Sequence, residues 1–312
     1  MNYACLDLCF AAFGDYGKNI KTIRIMAIVY ALCCLACAAV NDFLFKLFSS
    51  VDKSSGKAKS CGAFVSIVGW VMVIAYSIFR RPHAGDLQMT LTWGCISGTL
   101  SLISNVLVIE AMRYQAAGVC STIFRLNMVL LVIGAHFLLG EPMTSMLVCG
   151  IICAFFAILA FIPRGTSSGG KSAMLGFVLS IIACVLRAGM ALSFKYGFSH
   201  GADENGVSMV IALFWAIGGI LIMLVQERRL RAPTAGEWKI SLTSGVFVTG
   251  IIIFMARMNM CGNASIVNPI AQMSFLGTFA LSCIFLKEKV DLKKALALVL
   301  GCCAVVLLCL GA

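Results

Sequence analysis

Ten long apolar segments constrain this chain more than any other feature. An α-helix rises 1.5 Å per residue, so roughly 20 apolar residues cross the hydrocarbon core of a bilayer, which is about 30 Å thick. Hydrophobic residues fill 61% of the 312 positions and charged residues only 12%, a surplus that a soluble fold of this size could not bury. The sequence therefore predicts an all-α membrane protein with ten transmembrane helices. The predicted spans are residues 25–48, 61–79, 88–109, 118–139, 143–162, 173–197, 207–225, 240–259, 262–286 and 293–311.

The connections between these segments are short and leave no room for a soluble domain. The formal net charge is +11, but the basic residues lie mostly in the connections, as expected of loops that face water and lipid headgroups. No basic stripe is interleaved with aromatic residues, so nucleic acid is not an expected partner. The expected partners are the lipid bilayer and a small-molecule solute.

Sixteen cysteines raise the question of a metal or redox site. Cys34 and Cys37 form a C-x-x-C pair, but it lies in an apolar segment, without a second pair or a histidine at zinc-like spacing. We therefore interpret the cysteines as small buried hydrophobes and predict neither a metal nor a cofactor.

Two arginines must lie inside spanning helices. Only 15 residues separate Arg125 from Glu141, and only 15 separate Lys171 from Arg187. Such intervals are too short to cross the bilayer, so the fourth helix must contain Arg125 and the sixth must contain Arg187. A charge near the bilayer centre costs about 2.5–3.5 kcal/mol on insertion scales, so both positions require an explanation.

The first helix carries a polar group, Asn41, Asp42 and Lys46, within "AAVNDFLFKLFSS" (38–50). Seventeen residues lie between Arg24 and Asp42, just enough to span, so Asp42 could lie at the interface with Lys46 snorkelling to the surface. The apolar pattern nevertheless continues for two more turns, which favours an intramembrane position. An ion pair between Asp42 and Lys46, one turn apart, would lower the cost of burial.

The chain contains weak internal repeats. Gly118 matches Gly262, Ser121 matches Ser265, and Phe45–Lys46 matches Phe194–Lys195, in the same order in both halves. We interpret them as two five-helix repeats, residues 24–164 and 171–312, within one membrane domain. Residues 1–23 form an N-terminal segment that is either a short interfacial helix or a frayed terminus.

Because five is odd, the two repeats would enter the membrane with opposite orientation. Inverted repeats create a pseudo-two-fold axis in the membrane plane and a shared site near the bilayer midplane. This arrangement is typical of carriers that alternate access between the two sides.

The sequence also resembles a known family. The segment "EAMRYQAAGVCSTIFRLNMVLL" (110–131), the turn "LLGEPMT" (138–144) and the later segment "ARMNMCGNASIVNPIAQMSFLGTFALSCIFLKEKV" (256–290) are similar to the EamA-type branch of the drug/metabolite transporter superfamily. The resemblance implies a ten-helix secondary carrier with a central cavity and cytoplasmic termini, in the bacterial plasma (inner) membrane. Members of this family move amino acids, nucleotide sugars, phosphorylated sugars or drugs.

Two features differ from what the resemblance implies. Arg125 stands where the fourth helix of such repeats often has a proline, whereas the second half keeps Pro269. The side of the membrane opposite the N-terminus also carries more basic residues, which by the positive-inside rule favours the reverse orientation.

Polar residues on several helices are candidates for the substrate site. Arg125 presents a planar fork suited to a carboxylate or phosphate, or it forms a structural pair with Glu110 or Asp42. On the ninth helix, the side-chain amides of Asn268 and Gln272 form either a hydrogen-bonding wall of the site or contacts between helices. Lys195 faces the cavity with Arg187, or snorkels near the helix end. The substrate-binding candidates are Asn41, Asp42, Lys46, Ser121, Arg125, Arg187, Lys195, Asn268 and Gln272.

The leading hypothesis is a secondary active transporter of small polar metabolites, anionic or zwitterionic, because the intramembrane charges are mainly basic. A coupling proton could bind Asp42, Glu110 or His136, and exchange against a counter-substrate is the alternative. The default interpretation of Glu110 is a surface ion pair with Arg113, and that of His136 is an interfacial histidine. The active form is a monomer or a homodimer. A channel, a receptor or scaffold, and an integral membrane enzyme are the competing classes. No H-E-x-x-H, G-x-S-x-G or phosphate-loop motif supports the enzyme.

Overall fold

A computed structural model describes residues 20–54, 61–79, 85–139, 143–162, 168–228, 233–261, 270–287 and 292–311. The predicted N-terminal segment lies outside these residues up to position 19, and no strand occurs in the described part of the chain. The helices are α1 (Ile20–Ser54), α2 (Gly62–Phe79), α3 (Leu87–Tyr114), α4 (Ala117–Arg125), α5 (Asn127–Leu139), α6 (Ser145–Phe161), α7 (Ser168–Ser199), α8 (Glu204–Glu227), α9 (Ala235–Cys261), α10 (Ser274–Leu286) and α11 (Leu292–Gly311).

The apolar helices follow the predicted spans in order. Within the described residues, six helical segments are long and apolar enough to cross a membrane, and four further apolar helices are shorter. The prediction of an all-helical, multi-pass integral membrane protein is confirmed. That all ten segments cross the bilayer, as two inverted repeats, stays a prediction.

The fourth predicted span is not one continuous helix. It breaks at Leu126, whose backbone angles are φ −71° and ψ 2°. The Asn127 side-chain amide donates a 2.6 Å hydrogen bond to the Phe124 carbonyl, competing with the regular helical ladder. A similar break occurs at Met273, just before α10, with φ −73° and ψ 10°. The first break leaves Arg125 at the end of α4.

The helices form a bundle in which each element packs on members of the other half of the chain. The main packed pairs are α3 with α7, α1 with α9, α2 with α8, and α6 with α11. Further contacts join α3 to α8, α2 to α9, α4 and α5 to α7, and α10 to α1 and α4. A buried cluster around Phe45, Phe48 and Phe64 fills the space between α1 and α2.

Small residues bring α2 and α8 into backbone contact. Gly62, Ser66 and Gly69 lie on one face of α2, because they are four and three residues apart. They meet Ala216 and Gly219 on α8. The Ser66 hydroxyl donates a 2.8 Å hydrogen bond to the Ala216 carbonyl. Small residues of this kind allow close helix approach in membranes.

Two aspartates begin α3 and α8 at the same end of the bundle. The Asp86 side chain accepts from the amide of Gln88, and the Asp203 side chain accepts from that of Gly206, as N-caps do. The Asp203 amide donates to the Thr90 hydroxyl at 2.8 Å, which joins the two helix ends.

Candidate functional site

A cavity of about 370 Å³ lies between α1, α2, α3, α4, α7, α8 and α9. At one end it reaches the buried polar residues Asn41 and Asp42 of α1. At the other it reaches Glu204, an exposed residue in the first turn of α8. The cavity therefore runs from the buried interior of the bundle toward the end where α3 and α8 begin.

Asp42 joins two of the predicted site residues. Its Oδ2 accepts a 2.6 Å hydrogen bond from the Ser121 hydroxyl and a 3.2 Å charged hydrogen bond from Nη2 of Arg125. The side chains of Asp42 and Arg125 are only 7% and 16% exposed. The sequence left Arg125 a choice between Glu110 and Asp42 as structural partners, and the structure pairs it with Asp42.

Arg187 lies near this pair on α7. Its guanidinium carbon is 5.6 Å from the centre of the Phe124 ring, and its Nη1 is 3.6 Å from the Met190 sulfur. It interacts electrostatically with both Arg125 and Asp42. No described carboxylate lies within ion-pair distance of Arg187. We call Asp42, Arg125 and Arg187 the charge cluster; it holds two cations and one anion.

Asn41 connects α1 to α9 beside the charge cluster. Its side-chain oxygen accepts a 2.7 Å hydrogen bond from the Ser244 hydroxyl, and both residues are buried. Asn41 also contributes to the cavity wall. The two adjacent polar residues of α1 thus have different partners: one contacts the second half of the chain, the other contacts α4.

The cavity wall includes polar residues that the sequence reasoning missed. The Trp215 indole donates a 3.0 Å hydrogen bond to the Ser101 hydroxyl, and the Asn105 amide donates to the Ser101 carbonyl at 2.8 Å. The signal was present, because Ser97, Ser101, Ser104 and Asn105 recur on one face of the third helix.

Lys46 lies outside the cavity wall. Its ammonium donates to the carbonyls of Met112 and Gln115 at 2.6 and 2.8 Å. These carbonyls belong to the C-terminal end of α3, where a cation is favoured by the helix dipole. The contacts of Lys46 thus indicate that it fastens α1 to α3.

We expect Lys46→Met to lower the free energy of unfolding by about 1.5–3 kcal/mol, because charged hydrogen bonds to two carbonyls are lost. Equilibrium unfolding in mixed micelles would measure the change. Lys171→Met, at an exposed position of α7, is the matched control and should change stability by less than about 0.5 kcal/mol. Equal effects of the two substitutions would contradict the fastening role.

Glu110 and His136, the other coupling candidates, lie outside the cavity wall. An oxygen of the Glu110 carboxylate is 3.0 Å from Nη1 of Arg113, one turn later at the end of α3. The half-buried His136 ring lies 5.2 Å from the ring of Phe137 on α5.

Of the remaining predicted residues, Lys195 and Gln272 are not among those that line the cavity. Lys195 is exposed on α7, and Gln272 is half-buried one residue before the break at Met273. Asn268 lies outside the described residues. Among the residues that the structure describes, no three potential ligands form a metal-binding group.

Comparison with known proteins gives one finding on the fold and one on the family. One solved crystal structure shares the fold, with a TM-score of 0.56 at 16% identity, over 90% of this chain and 96% of its own. A search of curated proteins gave no match.

The second finding concerns the family. Residues 174–310 match the sequence model of the EamA-like transporter family, which is part of the drug/metabolite transporter superfamily. The resemblance noted in the sequence is confirmed over residues 174–310, which match the model of the EamA-like transporter family.

Proposed function

We propose that this protein is a secondary active transporter that moves a small anionic or zwitterionic metabolite across the bacterial plasma membrane. The observation that carries the proposal is the cavity with the charge cluster at its buried end. Intramembrane charges are costly and mark substrate or ion pathways. We therefore place the substrate beside Asn41, Asp42, Arg125 and Arg187, with Ser121 orienting Asp42.

Alternating access between two inverted five-helix repeats would follow from the way the helices pack. Exchanging the helices of residues 24–164 with their counterparts in 171–312 converts the α3–α7 pair into the α9–α1 pair. The same exchange maps the α2–α8 and α6–α11 pairs onto themselves. The helix breaks at Leu126 and Met273 also correspond. These correspondences support rocking of one repeat against the other.

Transport, rather than catalysis, is the proposed activity. The family whose model residues 174–310 match consists of transporters. The charge cluster holds a carboxylate already engaged by an arginine and a hydroxyl, which suits ligand recognition better than general base chemistry.

Uptake by liposomes that contain the purified full-length protein tests the proposal. A panel of amino acids, organic acids, sugar phosphates and cationic drugs should include at least one solute that exchanges faster than in empty liposomes. Ser208 lines the cavity. The indole introduced by Ser208→Trp would occupy cavity volume and should abolish that exchange. Thr99→Trp, at an exposed position of α3, is the matched control and should retain it.

Two results would contradict the proposal. One is a folded protein that exchanges no solute of the panel. The other is unitary current steps in a planar bilayer, which would indicate a channel.

A further inference from the structure

We infer that the transported solute carries one carboxylate group on a largely apolar body, and that Arg187 binds this carboxylate. The inference rests on the proposed transport function and adds to it the class of substrate and the side chain that recognises it.

The first step is the charge balance of the buried end of the cavity. Arg125 is compensated by Asp42, at 3.2 Å. Arg187 interacts with Asp42 only at longer range, and in the described part of the chain it contacts the Phe124 ring and the Met190 sulfur but forms no ion pair. An uncompensated charge taken out of water is costly unless it is paired. One anionic group on the solute would provide that pairing.

The second step concerns which arginine is available to the solute. Arg125 is held through Asp42, which the Ser121 hydroxyl fixes at 2.6 Å. A solute that took Arg125 would leave the Asp42 carboxylate without its cation. Arg187 lines the same cavity and forms no ion pair with a described carboxylate. Its planar fork can bind a carboxylate through two parallel hydrogen bonds.

The third step limits the charge of the solute. The charge cluster offers a net single positive charge, and Asp42 and Glu204 both place carboxylates on the cavity wall. A phosphate monoester carries about −1.5 to −2 at neutral pH, so it would exceed the available compensation and be repelled by both carboxylates. A single carboxylate fits this balance.

The fourth step concerns the rest of the solute. Phe124, Phe194, Trp215, Ile211 and Ile251 contribute apolar surface to the cavity. A volume of about 370 Å³ is near the lower end of ligand pockets, which span roughly 300–1,000 Å³. The cavity therefore suits a compact apolar or aromatic body better than a nucleotide-sized one.

The substrate could be a simple monocarboxylate or a zwitterion that shares this group. Both hydrogen bonds to Asp42 fall on Oδ2, and Oδ1 accepts none from the residues that the structure describes. Oδ1 could accept a hydrogen bond from an ammonium group next to the carboxylate bound by Arg187. A comparison of probes with and without this amine distinguishes a simple monocarboxylate from a zwitterion as the substrate.

The test is calorimetric titration of the full-length protein with four probes that share one ring. These are 3-phenylpropionate, L-phenylalanine, phenethylamine and phenyl phosphate. We expect one or both of the carboxylates to bind and the other two probes to bind at least about 10-fold more weakly, because each lacks the single carboxylate. Tighter binding of phenylalanine than of phenylpropionate would support the inference and add Asp42 as the amine acceptor.

Substitution of Arg187 tests the assigned side chain. Arg187→Gln should weaken carboxylate binding about 10- to 100-fold, the loss expected for charge-assisted hydrogen bonds. Arg187→Lys should restore part of it as a point charge. Arg228→Gln, at an exposed position after α8, is the matched control and should leave binding unchanged. Unchanged affinity in a folded Arg187→Gln variant would overturn the assignment.

The probe series on the unmodified protein remains decisive even where the variant does not fold. Preferred binding of phenyl phosphate or phenethylamine would overturn the carboxylate inference while leaving the transport proposal intact. Failure of every solute to exchange in liposomes would overturn the transport proposal itself.

Discussion

Asp42→Ala is expected to lower the free energy of unfolding by about 3–5 kcal/mol, the cost of breaking a buried ion pair. The substitution removes the carboxylate and leaves Arg125 and Arg187 as neighbouring cations without an anion. It also leaves the buried Ser121 hydroxyl without its acceptor. Equilibrium unfolding in mixed micelles would measure the loss.

Two further variants distinguish the cost of leaving a buried charge unpaired from the effect of removing any carboxylate. Glu110→Ala removes a more exposed acid, since the Glu110 side chain is 32% exposed and that of Asp42 is 7% exposed, and should cost less than Asp42→Ala. The double variant Asp42→Ala/Arg125→Met removes both charges of the buried pair and should be more stable than Asp42→Ala alone. A double variant that is less stable than the single one would show that charge compensation is not the cause.

The sequence predicted the apolar helices from the length of the apolar runs. All three residues of the charge cluster were candidates for the site, and the same argument from length required the two arginines to lie inside helices. An interval of 15 residues cannot cross a bilayer, so Arg125 and Arg187 had to lie within helices. The described structure has Arg125 at the end of α4 and Arg187 within α7. A single charged residue that interrupts an apolar run can thus be assigned to the inside of a helix without any knowledge of packing.

The partners of these charges could not be predicted from sequence. Asp42 is 83 positions from Arg125 and one turn from Lys46, and the sequence left both as possible partners. In the structure Asp42 pairs with Arg125 and Ser121, and Lys46 binds the carbonyls at the end of α3. The choice depends on how α1 is rotated against α3 and α4, which is set by side-chain packing across the bundle.

The break between α4 and α5 was missed for a related reason. It contains neither proline nor glycine and is accompanied by a local hydrogen bond from Asn127 to the Phe124 carbonyl. Asparagine can lie in a helix or compete with its ladder, and the sequence does not indicate which outcome prevails.

Gly69→Ala should destabilise the protein about as severely as the loss of Asp42, although it adds a single methyl group. A Cβ at this position would overlap the backbone nitrogen of Ala216 and lie 2.6 Å from the carbonyl carbon of Trp215. These atoms belong to the backbone of α8, so no side-chain rotation relieves the clash. The helices must separate, which also stretches the 2.8 Å hydrogen bond from Ser66 to Ala216. We expect a loss of about 3 kcal/mol, at the upper end for overpacking.

Gly189→Ala is the matched control, because Gly189 is also helical and its added Cβ would meet only Leu100, at 3.5 Å. That is ordinary van der Waals distance, so the control should be neutral or slightly stabilising through the better helix propensity of alanine. Unfolding of both variants in mixed micelles would measure the difference. Because Trp215 lines the cavity from α8, Gly69→Ala should also weaken solute binding in any fraction that folds. Equal stability of the two variants would show that α2 and α8 do not pack through backbone contact.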